Sequence, residues 1–527
     1  MHINLHWIDL TILAAYLATM AGIGIYFSKR QRKLEDFFLA RRGMSWLPVG
    51  LSLMAALNSG IDYVMQPAAV IKFGIILLIG NLSWFLLYPY VFFVTLPMFR
   101  RLNVYSAYEY LERRFNLAVR GLGAAIFILW RIGWMATALY VPCLAISTAV
   151  GRDDLLMPMI VTLGGLVTFY TMLGGIRAVI WTDVTQFCIM FSGLAGTLLI
   201  AWWNVPGGFT EIFQCATEVG ASSTAGLVAD TENVWKPLGE FFATPVTVVG
   251  ILVAVVVARL GTYTSDQVMV QRFQTTRSIR DARQGFFITA VSDTIWMTAL
   301  AIVGLALFAY FQHHAIPPVV QDNPDNIFPY FLGEVFPIGL TGLVIAAILA
   351  ASLSSIDSAL NSLTSVLTVD FYNRICLNRS RPDDTSDERE QRRQIRVSRS
   401  ITLCLGMIGT ALSCNVHRLG TIFEIANKLI NSFTGPLLGV FLLGMFTRRA
   451  NGPGVFLGGF VGTGVTLFVV HLSNIGQVSF LWPSTFGLLT TLVVGYVVSI
   501  VMQSFSPARP QWTFSEILSR IDLEEER

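Results

Sequence analysis

The sequence has 527 residues, of which 54% are hydrophobic and only 13% charged, and its mean hydropathy is +0.62. This composition is far more apolar than a soluble domain needs for its core, so it excludes an ordinary soluble globular protein. The net charge of +3 does not indicate a nucleic-acid-binding face, because the basic residues are spread over loops between apolar stretches.

Apolar stretches long enough to cross a bilayer recur along the whole chain. A helix of about 20 apolar residues spans the roughly 30 Å hydrocarbon layer. The 13 predicted spans are 7–27, 45–70, 75–99, 121–150, 155–173, 181–203, 244–265, 284–311, 338–372, 400–414, 421–447, 453–472 and 483–504. The first lacks an Ala-x-Ala-like cleavage site, so it predicts a retained helix. The sequence therefore predicts an all-α polytopic membrane protein with one transmembrane domain, 1–527.

Lysine and arginine are distributed unequally between the loops. With the N-terminus outside, the cytoplasmic loops hold most of them, and the external loops hold only Lys72, Arg152, Lys236 and Arg418. Because positively charged loops stay in the cytoplasm, this bias predicts an external N-terminus and a cytoplasmic C-terminus. The expected location is the plasma (inner) membrane.

Two predicted spans carry helix breakers. The second contains Asn58-Ser59-Gly60 and then Pro67, and the seventh ends in the Gly-Thr-Tyr-Thr-Ser run of 261–265. Non-helical backbone at membrane depth survives only beside protein or a watery cavity, where its freed carbonyls are ready cation ligands. A kink without a ligand is the alternative in each case.

Spans 2–6 and spans 7–11 enter the membrane from opposite sides, and each set begins with an interrupted helix. This pattern is typical of inverted repeats. The predicted repeats cover residues 45–203 and 244–447, followed by two C-terminal helices over 453–504.

The ninth span carries a stripe of small oxygen-bearing residues. At 100° per residue, Ala351, Ser355, Ser358 and Ser362 lie within about 60° of one another on a helix, and Ser354 borders them. Hydroxyls and carbonyls are the uncharged oxygen ligands that suit sodium. The alternative is close helix packing by small residues.

Short motifs elsewhere in the chain occur in a recognisable order over roughly residues 34–455. They are Asp36-Phe37-Phe38-Leu39-Ala40 with Trp46 and Gly50-Leu51-Ser52-Leu53; Glu109-Tyr110-Leu111 with Arg114-Phe115; Gly174-Gly175-Ile176-Arg177-Ala178-Val179 with Thr182-Asp183 and Gln186; Ser265-Asp266-Gln267 with Val270-Gln271-Arg272; the serine stripe running on to Asp370-Phe371-Tyr372; and Gly435-Pro436-Leu437-Leu438-Gly439. With these motifs in register, the chain resembles the sodium/solute symporter family. The resemblance implies a LeuT-type fold of two inverted five-helix repeats, one helix before them and two after.

The resemblance also implies the sites for the coupling ion. The family's common sodium site corresponds here to Ala55, Asn58, Ala351, Ser354 and Ser355. Some members hold a second sodium, which corresponds here to Asp183 with Ser354 and Ser358. Asp183 could instead simply cap its helix. Na⁺ is the expected coupling ion, and no organic cofactor is expected.

Ionisable residues inside spans are costly, so they are candidates for solute contact. Asp62 lies beside the first break, where a cationic or amino group could meet it, whereas Arg131 could pair with a carboxylate. Alternatively, both pair with each other or with neighbouring helices. Alignment with the family's sugar carriers places their sugar-binding carboxylate at Asn81, their lysine at Asp293 and their gate tyrosine beside Tyr263, which disfavours a sugar. The predicted solute-binding residues are Asp62, Asn81, Arg131, Tyr263, Asp293 and Asn427.

The predicted function is sodium-driven import of a small polar or charged solute, such as an amino acid or carboxylate, by alternating access. A proton-coupled transporter of the same fold is the alternative. All six histidines lie in external segments or at span ends, so a membrane enzyme with a haem or metal centre is not expected. The expected partners are the solute, sodium and the lipid bilayer, with no nucleic acid and no obligate protein partner.

Overall fold

The computed structural model describes residues 5–29, 31, 33–215, 238–322, 324–379, 388–416 and 422–525. For 238–239, 319, 322, 324, 422–431 and 520–525 it describes the backbone alone. Over these residues the chain is built of helices, and its one β-type pairing is an isolated bridge between Met44 and Thr276. The predicted all-α class is therefore confirmed.

Helices follow one another closely through the first half of the chain. They are α1 (Trp7–Ser28), α2 (Leu34–Leu39), α3 (Trp46–Leu57), α4 (Gly60–Phe73), α5 (Ser83–Tyr90), α6 (Leu96–Leu102), α7 (Ala107–Arg114), α8 (Leu117–Val150), α9 (Leu156–Asn204), α10 (Gly208–Gln214) and α11 (Leu238–Ala243). Short 3₁₀ segments cover Ala40–Arg42, Ile75–Leu82 and Asp153–Leu155, and a π-helical turn covers Val91–Thr95.

The second half has the same character. Its helices are α12 (Val248–Ser265), α13 (Gln267–Thr275), α14 (Ile279–His313), α15 (Pro318–Asp322), α16 (Ile327–Val335), α17 (Leu340–Val366), α18 (Glu388–Ser413), α19 (Ile422–Phe446), α20 (Gly452–Asn474), α21 (Pro483–Val501) and α22 (Phe514–Glu525). A π-helical extension, Leu367–Cys376, follows α17, and 3₁₀ turns cover Pro324–Asn326 and Pro510–Trp512.

Ten helical segments in the described part of the chain are long and apolar enough to cross a membrane, and two further apolar helices are shorter. This composition makes the protein a multi-pass membrane protein. The predicted total of 13 spans stays a prediction. The predicted spans 155–173 and 181–203 correspond to the two parts of α9, which are separated by a non-helical backbone at Gly175.

Both predicted interruptions are present. The helix stops at Leu57 and starts again at Gly60, with Asn58 and Ser59 extended between them. In the second case α12 ends at Ser265 and α13 begins at Gln267, with extended Asp266 as the cap of α13. These breaks give α3–α4 and α12–α13 free backbone groups in the protein interior.

Helix α17 lies at the centre of the fold. Every residue from Val344 to Val366 is buried, and the helix packs against α9, α8, α1 and α4. Its alanines and serines let these neighbours approach closely. Near the C-terminus, α20 and α21 pack on each other and α21 packs on α19.

Helix α18 begins earlier than predicted. The predicted span begins at 400, but the structure has helix from Glu388. Glu388 pairs with Arg392 one turn later, and Glu390 pairs with Arg393. Such spacings favour a polar helical extension that a hydropathy pattern does not detect.

Candidate functional site

The break between α3 and α4 frees two backbone carbonyls in the buried interior. In a continuous helix the Ala55 carbonyl would accept from the Ser59 amide four residues later. Here the Ser59 amide donates to Asp62 Oδ2 at 2.7 Å, and the Asp62 amide donates to the Ser59 carbonyl at 3.0 Å. The carbonyl oxygens of Ala55 and Asn58 are thus left for other partners.

Two hydroxyls of α17 contact the freed carbonyls. Ser354 Oγ donates to the Ala55 carbonyl at 2.8 Å and lies 2.8 Å from the Ala351 carbonyl oxygen. Ser355 Oγ donates to the Asn58 carbonyl at 3.1 Å. The structure therefore brings all five predicted sodium ligands together at one point.

This cluster of five oxygens has the chemistry that sodium requires. All five residues are at most 1% exposed. Three carbonyls and two hydroxyls supply hard oxygen ligands of no net charge, and each hydroxyl can turn its proton away from an ion while keeping its oxygen in place. The carbonyl end of α3 adds a favourable negative potential.

The side chain of Asn58 links this cluster to a buried ion pair. Asn58 Nδ2 donates to Asp293 Oδ1 at 3.0 Å, and Arg259 Nη2 donates to Asp293 Oδ2 at 2.7 Å. Trp84 Nε1 donates to the same carboxylate at 3.1 Å, and the Arg259 guanidinium lies over the Trp84 ring. Asp293 therefore contacts both Asn58, which is predicted to bind sodium, and Arg259, which lines a neighbouring cavity.

That cavity has a volume of about 320 Å³ and lies between α3, α4, α8 and α12. Its polar lining consists of Asp62, Gln66, Asn81, Arg131, Arg259 and Thr262. Its walls are otherwise apolar, and it reaches Val246, Phe480 and Leu481, just before α12 and α21 begin. A mostly apolar cavity with a few convergent polar groups is typical of a small-solute site.

The predicted solute-binding residues divide into three groups. Asp62, Asn81 and Arg131 line the cavity. Tyr263 and Asp293 do not line the cavity. Tyr263 packs against Trp84, Phe273 and Phe286. Asp293 pairs with Arg259 on the side of Arg259 that is away from the cavity. Their predicted direct contact with solute is corrected accordingly, since both side chains point into the protein. Asn427 lies in the part of α19 whose side chains are outside the described residues.

Several cavity residues were missed by the sequence reasoning. They are Gln66, Trp130, Trp134 and Arg259. Gln66 lies one turn after Asp62 on α4, and Trp130 precedes Arg131, so helical spacing from a predicted site residue could have found them. The partner of Arg131 is Asp266, at the second helix break.

A second buried polar cluster surrounds Asp183. Arg272 Nη2 lies 2.8 Å from Asp183 Oδ2 and also contacts Ser358 Oγ. Ser52 Oγ lies 2.5 Å from the same Asp183 oxygen and 2.8 Å from Arg272 Nε. The Arg272 guanidinium thus occupies the place between Asp183 and Ser358 that the sequence assigned to a second sodium.

Asp357 lies on the other side of this cluster. Its Oδ2 accepts from Tyr170 at 3.2 Å and from Thr182 at 3.3 Å, and its Oδ1 lies 3.3 Å from Ser358 Oγ. These contacts join α17 to α9 within the interior. Asp357 is not part of the cavity lining.

Sequence comparisons relate the chain to sodium-coupled transporters. The profile of the sodium:solute symporter family matches residues 37–462. The chain is 30% identical to the sodium/sialic acid symporter NanT of Aliivibrio fischeri over 493 residues, covering 92% of each chain. It is also 30% identical to human sodium-coupled monocarboxylate transporter 1 over 473 residues, covering 88% of this chain and 73% of that protein.

Solved structures show the same relationship in three dimensions. A sodium-coupled sialic acid symporter in a substrate-bound outward-open state superposes with a TM-score of 0.82 at 30% identity, covering 96% of this chain and all of that one. Mhp1, a nucleobase-cation-symport-1 family transporter, superposes in its inward-facing form with a TM-score of 0.52 at 12% identity, covering 88% of this chain and 92% of that one. The second likeness concerns the fold alone.

Proposed function

Since the chain belongs to the sodium:solute symporter family, we propose that its coupling sodium ion binds where the α3–α4 break meets α17. The protein is a secondary active transporter that imports a solute with sodium, and it has the LeuT-type helical fold. The observation that carries the proposed ion site is the meeting of the freed carbonyls of Ala55 and Asn58 with Ser354 and Ser355.

The solute binds in the cavity on the other side of the same break. The cavity includes Ala56, Leu57 and Asp62, which directly adjoin the proposed sodium ligands. An ion that draws α3, α4 and α17 together therefore also fixes the cavity wall. By linkage, a solute that prefers this arrangement must raise sodium affinity by the same factor.

The Asn58–Asp293–Arg259 contacts provide a second route for coupling. Asn58 presents its carbonyl to the sodium site and its amide group to Asp293, which holds Arg259 at the cavity. Moving Asn58 on ion binding would move a hydrogen bond of Asp293 as well. In our proposal Asp293 and Tyr263 act through neighbouring side chains rather than by touching the solute.

The arrangement of the cavity supports an outward-facing state. In the topology derived from the basic residues, α12 and α21 begin on the external side, where Val246, Phe480 and Leu481 line the cavity. At the opposite end, Arg120 pairs with Asp370 at 2.6 Å and with Glu112 at 2.7 Å. We therefore propose an external N-terminus, a cytoplasmic C-terminus and a closed cytoplasmic side.

A second sodium at Asp183, Ser354 and Ser358 remains part of the proposal, with one condition. The guanidinium of Arg272 contacts Asp183 and Ser358 directly. An ion bound there would need Arg272 to move away, so ion and guanidinium would alternate at this point. Arg272 belongs to the short helix α13, next to the second break.

The proposed sodium site is tested with Ser354→Ala combined with Ser355→Ala. The purified protein is heated in sodium or potassium chloride, and the midpoint of unfolding is measured as a function of ion concentration. We expect sodium to stabilise the wild type. Loss of two of the five ligands should weaken the apparent sodium affinity roughly tenfold or more.

Ser398→Ala is the matched control, because Ser398 is also a buried serine that donates to a backbone carbonyl, far from the break. It should keep the sodium response of the wild type. An unchanged sodium response in the double variant would contradict the proposed site. Stabilisation by lowering pH in potassium, with no effect of sodium, would instead favour the proton-coupled alternative.

A further inference from the structure

Among the described residues, the ionisable groups at the solute cavity do not pair off evenly. Three such side chains line it: Asp62, Arg131 and Arg259. Arg131 is held by Asp266, which is fully buried, and Arg259 is held by Asp293, which is equally buried. Each guanidinium therefore has a carboxylate of its own, and together these two pairs carry no net charge.

Asp62 has no such partner. Its Oδ2 accepts the Ser59 amide at 2.7 Å as part of the cap of α4. Within the described part of the chain, no cationic side chain lies within ion-pair distance of Asp62. The N-terminal turn of α4 favours a carboxylate at this position. Among the described residues that line the cavity, Asp62 is thus the carboxyl group without a cationic partner, and its Oδ1 is not used by the cap.

The rest of the lining suits an organic cation. Trp134, Met65 and Met297 face the cavity, and aromatic faces and thioethers are favourable neighbours of alkylated or protonated amines. A free carboxylate of a solute would find both arginines already paired. To use the fork of Arg131, it would have to displace Asp266 from a buried ion pair, which is costly.

We propose that the transported solute carries a cationic nitrogen, a protonated amine or a quaternary ammonium group, and that this group binds Asp62 Oδ1. The inference rests on the proposed function, because it assumes that the cavity beside the sodium site is the solute site. It sets this chain apart from its relatives named for sialic acid and monocarboxylates. The sequence left open whether a cationic group of the solute meets Asp62 or a carboxylate of the solute meets Arg131. The proposal favours the contact with Asp62.

The experiment compares solutes that differ only in the charged nitrogen. The full-length protein, purified in sodium, is heated with choline or with its neutral carbon isostere 3,3-dimethylbutanol, and with glycine betaine or with its isostere 3,3-dimethylbutanoate. Putrescine and the twenty common amino acids extend the cationic set, and pyruvate and N-acetylneuraminate extend the anionic set. Potassium replaces sodium in a parallel series.

We expect at least one ammonium compound to raise the unfolding midpoint in sodium and not in potassium, and its carbon isostere, which lacks the cationic nitrogen, to have no effect. In Asp62→Asn the amide oxygen can still cap α4, but the charge is gone. Its apparent affinity for the ammonium compound should fall roughly tenfold to a hundredfold, the range for a hydrogen bond to a charged group. Asp281→Asn, at the capped start of α14, is the matched control. It should leave the affinity for the ammonium compound and the affinity for sodium unchanged.

The proposal is overturned if only solutes without a cationic nitrogen stabilise the protein, if isostere and ammonium compound act equally, or if no ammonium compound acts. It is also overturned if Asp62→Asn binds the ammonium compound as well as the wild type. The sodium response separates this failure from a failure of the proposed function. If the sodium response depends on Ser354 and Ser355, the proposed sodium site is supported whatever the solute is. If sodium has no such effect, the proposed sodium site itself is contradicted.

Discussion

Gly60 is a residue at which α4 approaches α17 closely. A Cβ atom built on it would lie 2.4 Å from Ser352 Oγ and 2.6 Å from the Ile348 carbonyl oxygen. The Gly60 amide donates to Ser352 Oγ at 3.1 Å. Because the Ile348 carbonyl is part of the backbone of α17, it cannot turn away as a side chain could.

Gly60→Ala should therefore separate α4 from α17. The expected cost is roughly 1–3 kcal/mol of stability, the usual range for an added methyl group in a packed interior. Because the proposed sodium site lies across the same contact, we also expect a weaker stabilisation by sodium. Both effects are measured as the unfolding midpoint in sodium and in potassium.

Gly121→Ala on α8 is the control for this substitution, since no heavy atom lies within 4 Å of its added Cβ. It should leave the sodium response unchanged. An equal loss of sodium response in both variants would mean that the close approach at Gly60 is not what matters.

At the residue scale, the candidate oxygen cluster came from the family resemblance. Applied to the break at Asn58 and the serine stripe, the resemblance named the five residues whose oxygens lie together in the structure. It failed for Tyr263 and Asp293, because the rotation of a helix beside a break is set by tertiary packing. The contact of Arg272 with Asp183 joins residues 89 positions apart, and no periodicity predicts such a pair.

At the scale of helices, the bend of α9 at Gly175 shows how one residue can join two predicted spans. Gly175 has φ +57° within an otherwise helical run from Leu156 to Asn204. A Cβ on it would lie 2.8 Å from the Phe37 carbonyl oxygen. Gln31 reaches the neighbouring Gly174 carbonyl through its side-chain amide. The bend therefore docks the segment around α2 against α9.

Gly175→Ala should destabilise the protein through both the backbone and the contact. A left-handed backbone costs a residue with a Cβ roughly 1–2 kcal/mol, before the close contact with Phe37 is added. The measurement is the midpoint of thermal unfolding of the purified protein.

Gly165→Ala, on the same helix, is the matched control. Nothing lies within 4 Å of its Cβ, and alanine in a helix interior is favoured over glycine by roughly 0.5–1 kcal/mol. It should be neutral or stabilising. A Gly175→Ala protein as stable as Gly165→Ala would show that the bend tolerates a side chain.

The sequence predicted helices well and their ends less well. Hydropathy located the apolar core of each segment, and Gly and Asn at 58–60 marked the first break. The glycines at 174 and 175 lie between the predicted spans 155–173 and 181–203, and the backbone is non-helical at Gly175. Hydropathy could not find the start of α18 at Glu388, where the helix leaves the apolar region and is supported by charge pairs.

At the scale of the whole molecule, the proposed orientation follows from the uneven distribution of arginine and lysine. It places Cys376, at the end of the extension of α17, on the cytoplasmic side, and Asn474, at the end of α20, on the external side. Both positions are exposed. Their opposite location is a direct test of topology.

We expect a membrane-impermeant maleimide added to intact cells to label a variant whose single cysteine is introduced by Asn474→Cys. The same reagent should not label a variant that keeps Cys376 as its single cysteine until the membrane is permeabilised. The reversed pattern would mean an inverted topology. Labelling of both positions from outside would contradict the multi-pass arrangement of the second half.

The complete burial of α17 limits which amino-acid substitutions this helix can accept during evolution. A helix that borders lipid keeps one face on which any apolar side chain will do, as on α20 and α21, where Phe460 and Val493 are exposed. From Val344 to Val366, α17 has no such face: a larger residue displaces a neighbouring helix, and a smaller one leaves a void. Random substitution should accordingly be filtered most strictly here, while the outer helices diverge freely around it.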